Sequence, residues 1–339
     1  MINIKNNTFN LQNRRYLGNK YKLLDFIEEI VERQCKGYKS FCDIFAGTGV
    51  VGQKFNKLNI KVISNDLLFS NFVCFYTFLG TKKINLASLY KKITYLNNLK
   101  PLKDNYFSTN FGNRYFTLEN AKKIGVIREE IEKISDSLGE KYALITSLLY
   151  ATDKVANTVG HYDAYREKLD TIQNVRLLLP DINTKNNIRN EIYCEDANKL
   201  IKKIEPDILY IDPPYNSRQY SDSYHLLENL TTWKKPPVFG KAKKMDRSDI
   251  KSDYCLEKST KVFEDLVENA KCKYILASYN NTGESMNNRS NAKIKDKKIM
   301  EILSKKGKAR VFEKRYKAFT TGKSETINHY ERIFFCEVI

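Results

Sequence analysis

Apolar positions along the chain fall into two alternating periods. Leu23, Leu24, Phe26, Ile27, Ile30 and Val31 recur at helical spacing and predict a helix over 21–34. Ser40-Phe41-Cys42-Asp43-Ile44-Phe45 predicts a strand that closes on Ala46-Gly47-Thr48-Gly49, with a helix beginning near Val50. Lys61-Val62-Ile63-Ser64 predicts a second strand ending at Asn65-Asp66. Strand, glycine turn, helix, strand and acid make a βαβ unit. Alternation returns late in the chain with strands at 190–194, 207–211 and 273–278 and helices at 196–204, 221–233, 256–270 and 295–306. Two last strands, 309–316 and 330–338, can pair antiparallel. Between these halves the pattern breaks into helical stretches at 84–98, 118–137, 140–155 and 163–178. The expected organisation is an α/β core from residues 1–69 and 190–339, interrupted by a mainly helical insertion over 70–189. Loops at 234–253 and 280–294 are expected to be mobile.

Composition narrows the partners. Lysine and arginine number 58 against 40 aspartate and glutamate among 339 residues, a net charge of +18. That excess favours a polyanion, although a generally basic, lysine- and asparagine-rich chain would carry it too. No apolar run reaches the roughly 18 residues that span a bilayer, and Met1-Ile2-Asn3-Ile4-Lys5-Asn6-Asn7 lacks the features of a signal peptide. Seven cysteines without a Cys-x-x-Cys pair point to reduced thiols in the cytoplasm. Three unpaired histidines give no structural zinc site.

The chemistry concentrates at strand ends. The apolar run Ile208-Leu209-Tyr210-Ile211 is followed by Asp212-Pro213-Pro214-Tyr215. The prolines stop the strand, because neither can donate to a ladder. Asp212 therefore stands where open α/β sheets hold ligands, with Tyr215 as a stacking plate beside it. The glycine turn alone is weak evidence. It is no P-loop, since no Gly-Lys-Ser/Thr follows, and the third glycine of the dinucleotide pattern is missing. Paired with Asp66, where an acid receives a ribose hydroxyl pair, it favours a nucleoside cofactor; alone, Asp66 reads equally as a helix N-cap. Asp196 is either an acceptor for an adenine amino group or an N-cap.

The tetrad resembles the catalytic motif of S-adenosylmethionine-dependent amino-group methyltransferases acting on DNA adenine. Arg15-Tyr16-Leu17-Gly18-Asn19-Lys20 is similar to the N-terminal cofactor segment of Dam-type adenine methylases, and the order of motifs is theirs. The resemblance implies a Rossmann-like class I fold, a mostly parallel seven-stranded sheet flanked by helices, with S-adenosyl-L-methionine as cofactor. It implies that Tyr16, Lys20, Asp66 and Asp212 bind that cofactor, that Phe45 and Gly47 line its pocket beside Asp43, and that residues 70–189 recognise the target. Asn157-Thr158-Val159-Gly160-His161-Tyr162 is similar to an Asn-x-x-Gly-x-aromatic segment there. Departures are the turn Asp43 to Gly49, where many relatives have an acid, Pro and Phe, and the region after the tetrad.

The implied reaction is methyl transfer to N6 of adenine flipped out of double-stranded DNA. Asp212 and the Pro213 carbonyl accept the amino protons and Tyr215 stacks on the base, with no metal required. Arg218, Gln219 and Tyr220 are candidate phosphate or gap-filling contacts, with a solvated loop as the alternative. Asn157 and His161 are candidate DNA contacts. His225 falls inside a helix and reads as structural. A cognate restriction endonuclease is a possible functional partner. The same chemistry on cytosine N4 or on RNA stays open, as does a non-catalytic DNA-binding protein on a vestigial methyltransferase fold.

Overall fold

The computed structural model describes residues 7–169, 173–280, 292–315 and 330–339. The first six residues, Asn281 and most of the 280–294 loop lie outside the described residues. The strands are β1 (Thr8–Phe9), β2 (Ser40–Asp43), β3 (Lys61–Asn65), β4 (Leu179–Pro180), β5 (Glu191–Tyr193), β6 (Ile208–Ile211), β7 (Tyr274–Asn280), β8 (Gly307–Arg315) and β9 (Tyr330–Val338). Among the described residues seven of them form one sheet in the order β5-β3-β2-β6-β7-β9-β8. The first five are parallel; β9 runs antiparallel to both β7 and β8. The expected C-terminal hairpin is therefore present, inserted so that β9 lies inside β8. The short pair β1 and β4 is separate.

Side-chain alternation divides the strands between two layers. Phe41, Ile208, Tyr210, Leu276 and Phe335 face one side; Cys42, Leu209, Ile211, Ile275 and Phe334 face the other. The first side is covered by α1 (Leu24–Gln34), α2 (Val50–Lys57) and α3 (Phe69–Phe75), followed by a π-helical turn at Tyr76–Gly80. The same continuous core takes in α4 (Leu86–Asn98), α5 (Tyr106–Phe111), α6 (Leu118–Ile134) and α7 (Leu138–Val155). Helix α7 is buried on most sides, taking Glu140, Thr146, Ser147 and Thr152 into the interior along with its apolar residues. The second side is covered by α8 (Ala197–Leu200), α11 (Ser259–Asn269) and α12 (Asp296–Ser304). Between them, α9 (Tyr220–Ser223) and α10 (His225–Thr232) follow the tetrad.

Three expected elements differ. No helix spans the described parts of 163–178. Val175, Leu177 and Leu179 are buried at period two, and asparagine side chains hold the extended backbone. Asn97 Oδ1 accepts from Leu177 N at 2.8 Å and its Nδ2 donates to Leu177 O at 3.0 Å. Asn120 does the same for Val175 N and Gln173 O. The expected helix at 221–233 is two helices, ending at Trp233 with φ of 53°. The 234–253 segment, expected to be mobile, is pinned: Tyr106 Oη donates to Pro236 O at 2.6 Å, and Lys244 Nζ donates to Asp163 Oδ1 at 2.8 Å.

Candidate active site

The carboxyl ends of β2 and β6 lie side by side at the centre of the sheet. The chain from β2 leads towards β3 on one side, and that from β6 towards β7 on the other, so a crevice opens between them. Ile44 N donates to Tyr210 O at 3.2 Å, the last rung before the chains part.

The glycine turn forms one wall. Ala46 N donates to Asn65 O at 2.8 Å, and Gly47 N donates to Asp66 Oδ2 at 2.9 Å. Gly47 has φ of +54°, and a Cβ there would come within 3.1 Å of the Tyr16 ring. Gly49 has φ of +83°, and a Cβ there would lie 2.7 Å from Phe75 Cβ. Both positions thus exclude a side chain by conformation and by space. Asp66 also accepts from Leu68 N at 2.9 Å, so it orders the turn as well as facing the cavity.

The opposite wall is the tetrad, joined to the N-terminal segment by a clamp. Tyr16 stacks on Tyr224 (centroids 4.6 Å apart, 11° between planes) and on Tyr220 (5.4 Å, 27°). Leu17 N donates to Tyr224 Oη at 2.7 Å, and Tyr220 Oη donates to Leu17 O at 3.2 Å. These contacts bring Lys20 to Asp212. Lys20 Nζ lies 3.1 Å from Asp212 Oδ1, with the side chains only 8% and 16% exposed.

Burial pushes the Asp212 carboxyl up to about 6, while Lys20 pulls the other way. For Lys20 burial works against the charge, yet Asp212 and then Glu331 outweigh it and raise its pKa. Burial, followed by the Asp212 and Asp66 charges, holds Asp43 well above the usual carboxylate range. Neither Asp43 oxygen has a well-formed hydrogen bond. Asp43, Asp66, Glu195, Asp196 and Asp212 thus line the cavity against the Lys20 ammonium. Such a wall suits a ligand that carries positive charge.

A family profile, D12 class N6 adenine-specific DNA methyltransferase, matches residues 16–284, from the clamp through the tetrad. The chain belongs to that family. Among its relatives, the modification methylase StsI of Streptococcus sanguinis is 36% identical over 79% of this chain and 44% of its own length. The type II methyltransferase M.FokI of Planomicrobium okeanokoites is 33% identical over 95% of this chain and 52% of its own. The type II methyltransferase M.NlaIII of Neisseria lactamica is 34% identical over 93% of this chain and 95% of its own. The chain therefore spans about half the length of StsI and M.FokI, and nearly all of M.NlaIII.

In this D12 chain the cavity gathers Tyr16, Lys20, Asp43, Phe45, Gly47, Asp66, Asp196, Asp212, Pro213 and Tyr215. Tyr215 meets Tyr279 edge to face at 6.1 Å, and Asp196 doubles as the α8 N-cap, accepting from Lys199 N at 3.0 Å.

The candidate DNA contacts divide. Arg218 is exposed outside the cavity. Gln219 and Tyr220 line it, but both are engaged: Gln219 exchanges two hydrogen bonds with the Ser252 backbone, and Tyr220 belongs to the clamp. The Asn157 side chain is buried, not outward-facing, and donates to the carbonyls of Arg114 and Arg166, at 3.1 and 2.9 Å. His161 stands half-buried 3.7 Å from Asp163. His225 is structural as expected, its Nε2 lying 2.9 Å from Tyr162 O in the core.

Residues that the sequence does not single out support the cavity walls. Arg14 is buried, donates to Asn71 Oδ1 at 2.8 Å and lies over the Tyr16 ring. Asn71 in turn donates to Tyr16 Oη at 2.9 Å. Asn65 ties β3 to Ile44 O and to both backbone groups of Glu195. A buried arginine runs against the usual surface preference, so no pattern marked it.

Proposed function

We propose that this protein transfers a methyl group from S-adenosyl-L-methionine to N6 of adenine in double-stranded DNA. The observation that carries this reading is the buried Lys20–Asp212 pair at the switch point, facing the glycine turn across an acid-lined cavity. The residues fit this methyl donor. The Asp43 carboxyl group, which lacks a well-formed hydrogen bond, and the acidic wall suit its cationic groups, Asp66 its ribose hydroxyls, and Phe45, Gly47 and Tyr16 its apolar and ring surfaces. When bound, the cofactor supplies an electrophilic methyl on a sulfonium centre.

The amino nitrogen of adenine is a weak nucleophile because its lone pair is delocalised. Asp212 Oδ2 and the Pro213 carbonyl accept its two N–H groups and localise that pair. Both hydrogen bonds strengthen as positive charge develops on nitrogen, so they favour the transition state over the ground state. Lys20 occupies Oδ1, keeping the carboxylate ionised and in one orientation. After transfer the surplus N6 proton passes to Asp212 Oδ2, and a group with a pKa of about 6 returns it to solvent at neutral pH. Tyr215 stacks on the base and holds its edge towards Asp212.

The net charge of +18 supports DNA as the substrate, reached by base flipping. Residues 70–189 are the proposed target-recognition part, with the catalytic core formed by 1–69 and 190–339. The names of the relatives support a role as the modification half of a restriction–modification pair. Unpaired cysteines support the cytoplasm as the site of action. No helix among the described residues is long and apolar enough to cross a membrane. The test is Asp212→Ala. It abolishes transfer of labelled methyl to DNA while S-adenosylmethionine still binds; an active alanine variant would sink the mechanism.

A further inference from the structure

We infer that the hairpin over residues 238–245 is a rigid finger that grips the duplex beside the cavity, with Phe239 as its apolar contact and Lys241 and Lys243 on phosphates. The inference rests on double-stranded DNA being the substrate, and it deepens that reading. Phe239 is 66% exposed at the start of a tight turn, in a stretch rich in lysine.

The turn is fixed by its own backbone. Phe239 N donates to Lys244 O at 2.8 Å, and Lys244 N donates to Phe239 O at 3.0 Å. Gly240 has φ of 68°, and Lys243 takes the left-handed region with φ of 52° despite its side chain. The turn is also strapped to the body. Tyr115 Oη lies 3.0 Å from Ala242 O, its one proton shared with Tyr162 O at 2.8 Å, Lys244 Nζ donates to Asp163 Oδ1 at 2.8 Å, and Met245 is buried.

These straps lead to the cavity. Asp163 Oδ2 accepts from Ser223 Oγ at 3.0 Å, and Arg247 Nε donates to Asp222 Oδ1 at 2.7 Å. Asp222 and Ser223 directly follow Tyr220 and Ser221 of the cavity wall, and the chain leaving the hairpin re-enters that wall at Ile250 and Ser252. The finger is therefore tied, through Asp163, Asp222 and Ser223, to the segments that line the cavity with the tetrad.

Its charges are available. Lys244 and Lys235 are paired with Asp163 and Glu129, whereas Lys241 and Lys243 have no ion pair among the described residues. Two lysines without an ion pair among the described residues, on the same turn as an exposed aromatic ring, suit a nucleic acid, which offers phosphates beside base and sugar faces. An aromatic held on a strapped turn loses little entropy on contact.

Three variants test the finger in the full-length chain: Phe239→Ala, Lys241→Gln and Lys243→Asn, the last chosen because asparagine tolerates the left-handed backbone. The readouts are anisotropy with a fluorescent nonspecific duplex across a salt series, methyl transfer to bulk unmethylated genomic DNA, and the thermal midpoint. Phe239→Ala is expected to lower kcat/KM for DNA about tenfold with an unchanged midpoint, and Phe239→Trp to restore it. Each lysine variant is expected to flatten the log-log salt slope by about 1. Variants that match the wild type in slope and kcat/KM overturn the finger alone. A wild-type protein that neither binds nor methylates duplex DNA overturns the parent reading and the finger together.

Discussion

Replacing Lys20 with methionine probes the electrostatics of the site directly, since methionine keeps length and apolar bulk but removes the charge. In the free protein Asp212 sits near 6 because burial raises it while the ammonium 3.1 Å away restrains the rise. Coulomb attraction at that separation amounts to about 5 kcal/mol at an effective dielectric near 20. Water at the cavity mouth reduces it, and an opposite charge this close moves a carboxylate by about 1–3 pH units in practice. Removing Lys20 should therefore carry the acid limb of the kcat/KM profile upward by about two pH units. At pH 7 the ionised fraction of Asp212 would fall from about 0.9 to about 0.1, a roughly tenfold loss of activity that returns near pH 9. The assay is methyl transfer to DNA from pH 5 to 10, with Lys20→Arg as the charge-preserving control. A loss of equal size at every pH, with the acid limb still near 6, would refute the reasoning.

Three further outcomes follow from named contacts. Gly49→Ala should destabilise the fold by about 1–3 kcal/mol, because φ of +83° and the Phe75 contact both oppose a Cβ; an unchanged thermal midpoint would contradict it. Burial depresses His225 to about 4, so the folded state binds its proton less readily than the unfolded chain does. Its contribution is full above pH 6.5, is lost as pH falls towards 4, and amounts to about 3 kcal/mol; denaturant melts of wild type and His225→Gln should diverge across that window. Asn157→Ala should cost about 1–3 kcal/mol of stability without changing which sites are methylated; altered site choice in an equally stable variant would restore a reading role.

Sequence reading reached the site where chemistry coincides with a strand end. Asp43, Asp66, Asp196 and Asp212 all sit there, at or within three residues of the end of a parallel strand, where the chain turns at the crevice. The Tyr16–Tyr220–Tyr224 clamp was out of reach, since it joins segments some 200 residues apart through ring stacking that leaves no periodic trace. Asparagine misled most. Asn157 reads as a candidate DNA contact, and 163–178 as a helix, because nothing local tells an outward-facing amide from one that replaces a backbone partner. Asn65, Asn97, Asn120 and Asn157 all take that second role in the folded chain.

The central claim is methyl transfer to the adenine amino group, and one measurement addresses it. Unmethylated DNA is incubated with the purified protein and S-adenosylmethionine bearing a deuterated methyl group, then digested to nucleosides and analysed by mass spectrometry. The account predicts trideuteromethyl label on N6 of deoxyadenosine with wild type and none with Asp212→Ala. Label on cytosine instead, or undiminished adenine label with the alanine variant, would contradict it.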